Sequence, residues 1–325
     1  IMRGKRQDKK VKYIYVYSGG TLSSEIFYID ASVPTAPFTS FQPRMKDVLY
    51  DITPLADRFI IRTNKDAKNF KLMECPLDKT GVENWKDYIP HRTDVLLQGV
   101  EEFKDFIVVN ERKDGLVKFR VKNLKVNSEY YIDFGEAAYA ANFSGNPDYN
   151  STTLRYAYTS LTTPASVYDY NLVSKDKKLM KQQEVVGGYN PQDYVSERVM
   201  VTAKDGSKVP LSIVYKKGFK MDAGFSSTRL SLLNRGFAFA IAHIRGGQEL
   251  GRQWYEDGKM LKKKNSFTDF IDCGEYLVKE KYTGKNHLYA EGGRAGGLLM
   301  RAVVNMAPDL WHGVIAEVPF GDVVS

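Results

Sequence analysis

The chain has 325 residues, enough for two domains that each bury a sizeable core. It carries 47 basic against 39 acidic residues, for a net charge of +8, and 43% of its residues are hydrophobic. No apolar run reaches the ~18 residues of a membrane-crossing helix, so no membrane partner is expected.

The first half reads as short strands with polar turns. Residues 12–17, 25–30, 58–63, 69–74, 106–110 and 116–121 are the clearest strands. The last two are joined by Lys113-Asp114-Gly115, a hairpin signal. The pattern returns at roughly 40–50 residues, the period of propeller blades, and three to four blades can be counted. By itself this half fits any all-β domain. Strand texture ends near residue 171. Residues 172–190 are charged and glycine-containing, which suggests a linker before a second domain at 191–325. That domain opens with a hairpin around Ala203-Lys204-Asp205-Gly206 and continues with the apolar strands 209–215 and 238–243, of the kind a parallel sheet buries on both faces. Residues 267–281 have helical periodicity, with Phe267, Phe270, Ile271, Tyr276 and Leu277 on one side and a charged opposite face.

A strand-like run at 287–290 then meets Gly292-Gly293-Arg294-Ala295-Gly296-Gly297 and a helical run at 298–306. Strand, tight glycine turn and helix is the layout of a nucleophile elbow, G-x-S-x-G. Glycines 292 and 296 fall in register, where side chains would collide in the turn, but the tip is Arg294 instead of serine. A phosphate-binding loop is the competing reading. It lacks both G-x-x-x-x-G-K-[ST] and a G-x-G-x-x-G after a first strand.

The surrounding wording settles between them. Ser226-Ser227-Thr228-Arg229-Leu230, Ala240-Ile241-Ala242-His243-Ile244-Arg245-Gly246-Gly247, Gly251-Arg252-Gln253-Trp254-Tyr255-Glu256-Asp257-Gly258-Lys259 and Val318-Pro319-Phe320-Gly321-Asp322 occur in this order around the elbow. Together they resemble the prolyl oligopeptidase family of serine peptidases, and its oligopeptidase B branch most closely. The resemblance is dense from about residue 222 and looser but continuous from about residue 12. It implies part of a β-propeller lid followed by part of an α/β-hydrolase domain. It also implies hydrolysis of short peptides after Arg or Lys through an acyl-enzyme, with no metal or organic cofactor. Position 294 would hold the nucleophile, and the N–H of Ala295 would help bind the oxyanion. Asp222 would sit near the basic side chain of the substrate, although the second acid of the family pattern is Gly224 here.

Four departures stand against a working site. A guanidinium cannot attack a carbonyl, so Arg294 leaves the site without its nucleophile. The Asp and His that complete the triad lie, in the family, beyond residue 325. Lys220 runs straight into Met221, where the family has roughly twenty more residues including an apolar strand, and a sheet lacking that strand leaves its neighbours unpaired. Glu291 and Arg301 stand where small or apolar residues are usual, and Arg301 would put a charge on a helix packed against the sheet. Either the arginine is a true substitution, and the chain is a non-hydrolysing pseudo-peptidase that binds peptides or a partner protein, or position 294 is serine in the working enzyme.

Other residues read as structural. His243 lies upstream of the elbow, in the wrong chain order for a catalytic base. Trp254 and Tyr255 read as packing residues. Lys259, Lys262, Lys263 and Lys264 lack the interleaved aromatics of a nucleic-acid contact and read as solvated surface, so no nucleic acid is expected. Cys75 and Cys273 are too few and too far apart for a disulfide framework. With no apolar leader near the start, they point to a cytoplasmic location, a periplasmic one staying open because Ile1 need not be the native first residue.

Overall fold

The computed structural model describes residues 2–9, 12–185, 188–217 and 232–318. The first half builds four antiparallel sheets of four strands, each sheet taken from consecutive sequence. The first holds β1 (Met2–Gln7), β2 (Tyr13–Gly19), β3 (Ser24–Asp30) and β4 (Thr39–Gln42). The second holds β5 (Tyr50–Pro54), β6 (Arg58–Thr63), β7 (Lys71–Pro76) and β8 (Lys86–Ile89). The third holds β9 (Val95–Glu102), β10 (Phe106–Lys113), β11 (Leu116–Asn123) and β12 (Ser128–Tyr131). The fourth holds β13 (Tyr139–Phe143), β14 (Thr153–Ser160), β15 (Ser166–Asn171) and β16 (Lys177–Gln182).

These sheets are propeller blades, each packed on the next by strands whose side chains alternate in and out. In β14, Leu154, Tyr156 and Tyr158 are buried while Arg155, Ala157 and Thr159 are exposed. Phe41, Tyr50 and Phe59 fill the layer between the first two blades. Ile60, Leu72 and Ile107 fill the second layer, and Phe119, Leu154 and Tyr156 the third. Each such side chain contributes about 1.5–3 kcal/mol by leaving water. The hairpin signal holds: Lys113 pairs with Leu116 across Asp114 and Gly115, at φ 51° and 75°, as a type I′ turn demands.

Two strands lie where none was expected. The fourth blade takes its outer strand, β16, from inside the stretch read as linker, and β1 lies in the basic start. Both are sheet edges. All six residues of β16 are exposed, so its Lys-Lys-Leu-Met-Lys-Gln sequence has no alternation to show, and lysines are a common guard on an exposed edge.

The second half begins with β17 (Tyr194–Thr202) and β18 (Lys208–Lys216), joined by the expected hairpin, with Gly206 at φ 86°. β18 is buried from Val209 to Val214 without alternation. Its far edge pairs antiparallel with β19 (Phe239–Ala242). After the short helix α1 (Arg252–Glu256), helix α2 (Lys264–Lys279) crosses to β20 (Tyr289–Gly293), which is followed by α3 (Ala295–Met306) and β21 (Gly313–Glu317). β20 and β21 pair in parallel. Strands and helices thus alternate as in an α/β-hydrolase, but the sheet is in two pieces, β17-β18-β19 and β20-β21.

Polar contacts join the halves. Lys68 reaches Gln253 at 2.6 Å and Glu256 at 2.7 Å. Asn69 Oδ1 accepts from the N–H of Arg252 at 2.9 Å. Arg198 Nη2 donates to the carbonyl of Asp114 at 2.9 Å, directly over the I′ turn.

Candidate active site

The elbow is built by β20, a one-residue turn and α3. Arg294 leaves the strand at φ 54°, ψ −114° and caps the N-terminus of α3. Such a backbone costs an L-residue about 1–3 kcal/mol and persists only where its surroundings hold it. Two hydrogen bonds do so. The Arg294 N–H donates to the carbonyl of Glu317 at 2.9 Å, and the Arg294 carbonyl accepts from the N–H of Gly297 at 2.9 Å. The side chain at 294 is exposed above the end of β20.

The four glycines differ in what they are for. A Cβ on Gly292 would lie 2.5 Å from the carbonyl oxygen of Gly296 and 2.9 Å from its carbon, so no side chain fits there. Gly297 is buried against the turn. A Cβ on Gly293 would make only ordinary contact with Glu317, at 3.6 Å. A Cβ on Gly296 would meet open space, which corrects the expectation that both flanking glycines are needed to avoid collision. The approach is one-sided: it is the backbone of Gly296 that presses on Gly292.

Ala295 is the first helical residue, so its N–H has no partner within α3 and lies at the positive end of the helix dipole. Of the flanking charges, Arg301 is not where the sequence suggested. Helix α3 buries Gly297, Met300 and Val303, and Arg301 lies on its exposed side. Asp222, and the run from Pro319 onward, lie outside the described residues.

Away from the elbow residues, an ion-pair cluster that the sequence did not reveal fixes the loop after β19. Arg245 is 7% exposed and binds Asp269, which is fully buried, through its backbone N–H at 2.9 Å and through Nε and Nη2. Asp205, in the β17–β18 hairpin, is 2.7 Å from Arg245 Nη2. These carboxylates hold the guanidinium charged far above its ordinary range, hydrogen bonding to Asp269 being the main cause. The periodicity of residues 267–281 predicts a charged face opposite the apolar one on helix α2. In fact Asp269 and Asp272 are buried, because each has an inward partner: Arg245 for the first, the N–H and ammonium of Lys204 for the second. Gly246 and Gly258 were a usable signal of a tight loop here, since Gly246 has φ 106° and a Cβ on Gly258 would strike the backbone of Arg245 and Gly246.

His243 bonds elsewhere. Its Nε2 lies 2.9 Å from Ser212 Oγ, and its carbonyl accepts from Trp254 Nε1 at 3.0 Å. Burial pushes its pKa down to about 4, with the positive charge of Arg198 adding to the effect. A half-buried imidazole held against the core serine Ser212 is structural. Trp254 packs against the β17–β19 core, as expected of it. In the lysine cluster, Lys262 pairs with Asp257 at 2.6 Å and Lys263 reaches Ser266 Oγ at 3.3 Å. Both cysteines are buried and free, their thiols pushed up to about 12 by burial. Among the described residues, no group of three or more His, Cys, Asp or Glu could hold a metal, and no helix is long and apolar enough to cross a membrane.

Comparison with known proteins agrees with this geometry. Residues 2–183 match the model of the prolyl oligopeptidase N-terminal β-propeller domain, and residues 223–325 match that of the prolyl oligopeptidase family. The chain is 45% identical to dipeptidyl aminopeptidase BI of Pseudoxanthomonas mexicana over 97% of its own length and 46% of the relative's. It is 34% identical to protease 2 of Moraxella lacunata, over 97% of this chain and 48% of that protein. Among solved structures, oligopeptidase B from Trypanosoma brucei with covalently bound antipain superposes with a TM-score of 0.89 at 34% identity, over 99% of this chain and 49% of that one. The chain therefore spans about half the length of the relatives it matches. It is a member of the prolyl oligopeptidase family, holding propeller blades and the elbow-bearing part of the peptidase domain.

Proposed function

We propose that the whole protein to which this chain belongs is built as a serine-type oligopeptidase that hydrolyses short peptides after Arg or Lys. The observation that carries this reading is the backbone at position 294. A non-glycine residue at φ 54° on a strand-to-helix turn, pinned to Glu317 and Gly297, is what a nucleophile elbow requires. In this reading position 294 holds the attacking group and the N–H of Ala295 is one oxyanion donor. Asp222 takes the basic side chain of the substrate. The propeller admits only short, flexible peptides. The preference for Arg or Lys is favoured by the likeness to oligopeptidase B.

Arg294 favours a second reading. Its guanidinium would fill the place of the scissile carbonyl. It would also repel a basic substrate side chain by about 4 kcal/mol if the two charges stood ~4 Å apart at an effective dielectric of ~20. A chain carrying it binds peptides or a partner protein without cleaving them.

The test is cleavage of a peptide panel by the whole protein and by its Arg294→Ser variant. The panel holds matched substrates with Arg, Lys or Pro before the reporter, and a dipeptide-releasing substrate suggested by the name of the 45%-identical relative. The reading expects the serine variant to prefer Arg and Lys. Preference for Pro or for dipeptide release would overturn the specificity. Turnover by the Arg294 protein itself would overturn the binder reading.

A further inference from the structure

Strands β20 and β21 run in parallel, so both end at the same edge of the sheet. The carboxyl ends of parallel strands are where open α/β sheets bind their ligands. Position 294 directly follows the end of β20. Glu317 is the last residue of β21 and lies in register with Gly293, the residue before the elbow tip. Its carbonyl accepts the Arg294 N–H at 2.9 Å. The elbow tip and Glu317 are thus tied together through the backbone.

The same register places the side chain. Residues paired across a sheet point to one face, and neighbours along a strand to opposite faces. Gly292 presses on α3, so Gly293 and Glu317 face away from that helix. A Cβ on Gly293 would lie 3.6 Å from Glu317 Cβ and 3.7 Å from Glu317 Oε2, so the carboxylate lies beside the residue that leads into position 294. Glu317 is exposed, and among the described residues its carboxylate has no ion-pair or hydrogen-bond partner. Glu291 shares the face but is half-buried and stands two residues further from the strand end. Directly after Glu317, Val318 has φ 43°, a left-handed backbone that a β-branched residue rarely adopts. Strain of this kind collects at binding and catalytic sites.

We propose that Glu317 determines specificity at the elbow, a role that rests on position 294 being the nucleophile position. Its carboxylate receives a cationic group of the bound peptide, ammonium or guanidinium, beside the scissile bond. An ionised carboxylate only accepts hydrogen bonds, and one without a partner attracts the nearest positive group. The Arg or Lys side chain of the substrate supplies such a group, and so does the free N-terminus of a short peptide. In the chain as it stands, Arg294 is exposed at the same strand end. The Arg294→Ser protein is therefore the one in which this carboxylate is open to a substrate.

The experiment compares the whole protein carrying Arg294→Ser with the same protein carrying Glu317→Gln or Glu317→Asp in addition. Two matched pairs of reporter substrates are used: amino-blocked peptides with Arg or its neutral isostere citrulline before the reporter, and a neutral dipeptide reporter with its amine free or acetylated. Glu317→Gln should lower the kcat/KM ratio of cationic to neutral substrate by about tenfold in one pair, mainly through KM, and Glu317→Asp should restore part of it. The pair that moves says whether the cation is the side chain or the N-terminus. Fluorophosphonate labelling at residue 294 runs alongside as the check on the elbow; if the Gln protein takes no label, the Asp protein decides by the same ratios. Ratios that stay within about twofold in labelled proteins overturn the proposal alone. An equal loss on all four substrates makes Glu317 a support of the elbow and overturns it too. A parent Arg294→Ser protein that takes no label overturns the reading of position 294, and the role of Glu317 with it.

Discussion

Replacing Asp269 by alanine tests the ion-pair cluster that holds the loop after β19. Asp269 is fully buried and Arg245 is 7% exposed, so the variant leaves a guanidinium in the interior without its main partner. Removing one member of a buried pair costs about 3–5 kcal/mol. Two features of the site move the value within that range. Asp205 stays 2.7 Å from Arg245 Nη2, but its side chain is 47% exposed and its pairing is screened. The Arg245 N–H, which donates to Asp269 at 2.9 Å, loses its acceptor, a further ~1–3 kcal/mol if nothing replaces it. The expected loss is about 4 kcal/mol, or roughly 10 °C in the melting temperature of the peptidase half. Urea unfolding read by Trp254 fluorescence reports it locally, since the Arg245 guanidinium sits 5.9 Å from that ring. Asp205→Ala should cost under about 1 kcal/mol by the same assay. An Asp269→Ala variant within about 1 kcal/mol of the parent would refute the reasoning.

Three further outcomes follow from the geometry. Gly292→Ala should destabilise by about 3 kcal/mol, the upper end of overpacking costs, while Gly296→Ala should be neutral or slightly stabilising; paired melting curves distinguish them. His243 has a folded pKa of about 4, below its ordinary 6.5, so the folded state resists protonation and the stability tied to its neutral form is present above pH 6.5 and lost as pH falls toward 4. The loss is up to about 3 kcal/mol, and stability measured against pH for the parent and for His243→Gln should differ in slope only in that window. Gly115→Ala, at φ 75° and beneath the Arg198 guanidinium, should cost about 1–2 kcal/mol and loosen the contact between the halves, seen as faster proteolysis between them.

What the sequence made legible was what repeats or alternates. Strands such as β6 and the β10–β11 hairpin announce themselves by apolar alternation and by Asp114-Gly115, because burial on one face and positive φ in the turn both leave marks in composition. β16 left none, since a solvated edge strand needs no apolar residues and is free to look like a linker. The elbow was legible in its glycines, although of the two flanking ones, Gly292 and Gly296, only Gly292 proves to be demanded by close approach. The Arg245–Asp269–Asp205 cluster was hidden because its three members lie far apart in the chain and each alone looks like surface charge. Arg301 misled in the opposite sense. Its helix has a wet side, and the sequence alone does not phase a helix well enough to show which side a single charge takes.

The central claim is that position 294 is the nucleophile position of a serine peptidase. Labelling of the whole protein with a serine-directed fluorophosphonate, followed by mass analysis of the modified peptide, tests it most directly. The Arg294→Ser variant should carry the label on residue 294, and its hydrolysis of an Arg-containing peptide should exceed that of the Arg294 protein by at least about 10⁴-fold. A folded serine variant that takes no label at residue 294, or that is labelled only where the Arg294 protein is also labelled, would contradict the account.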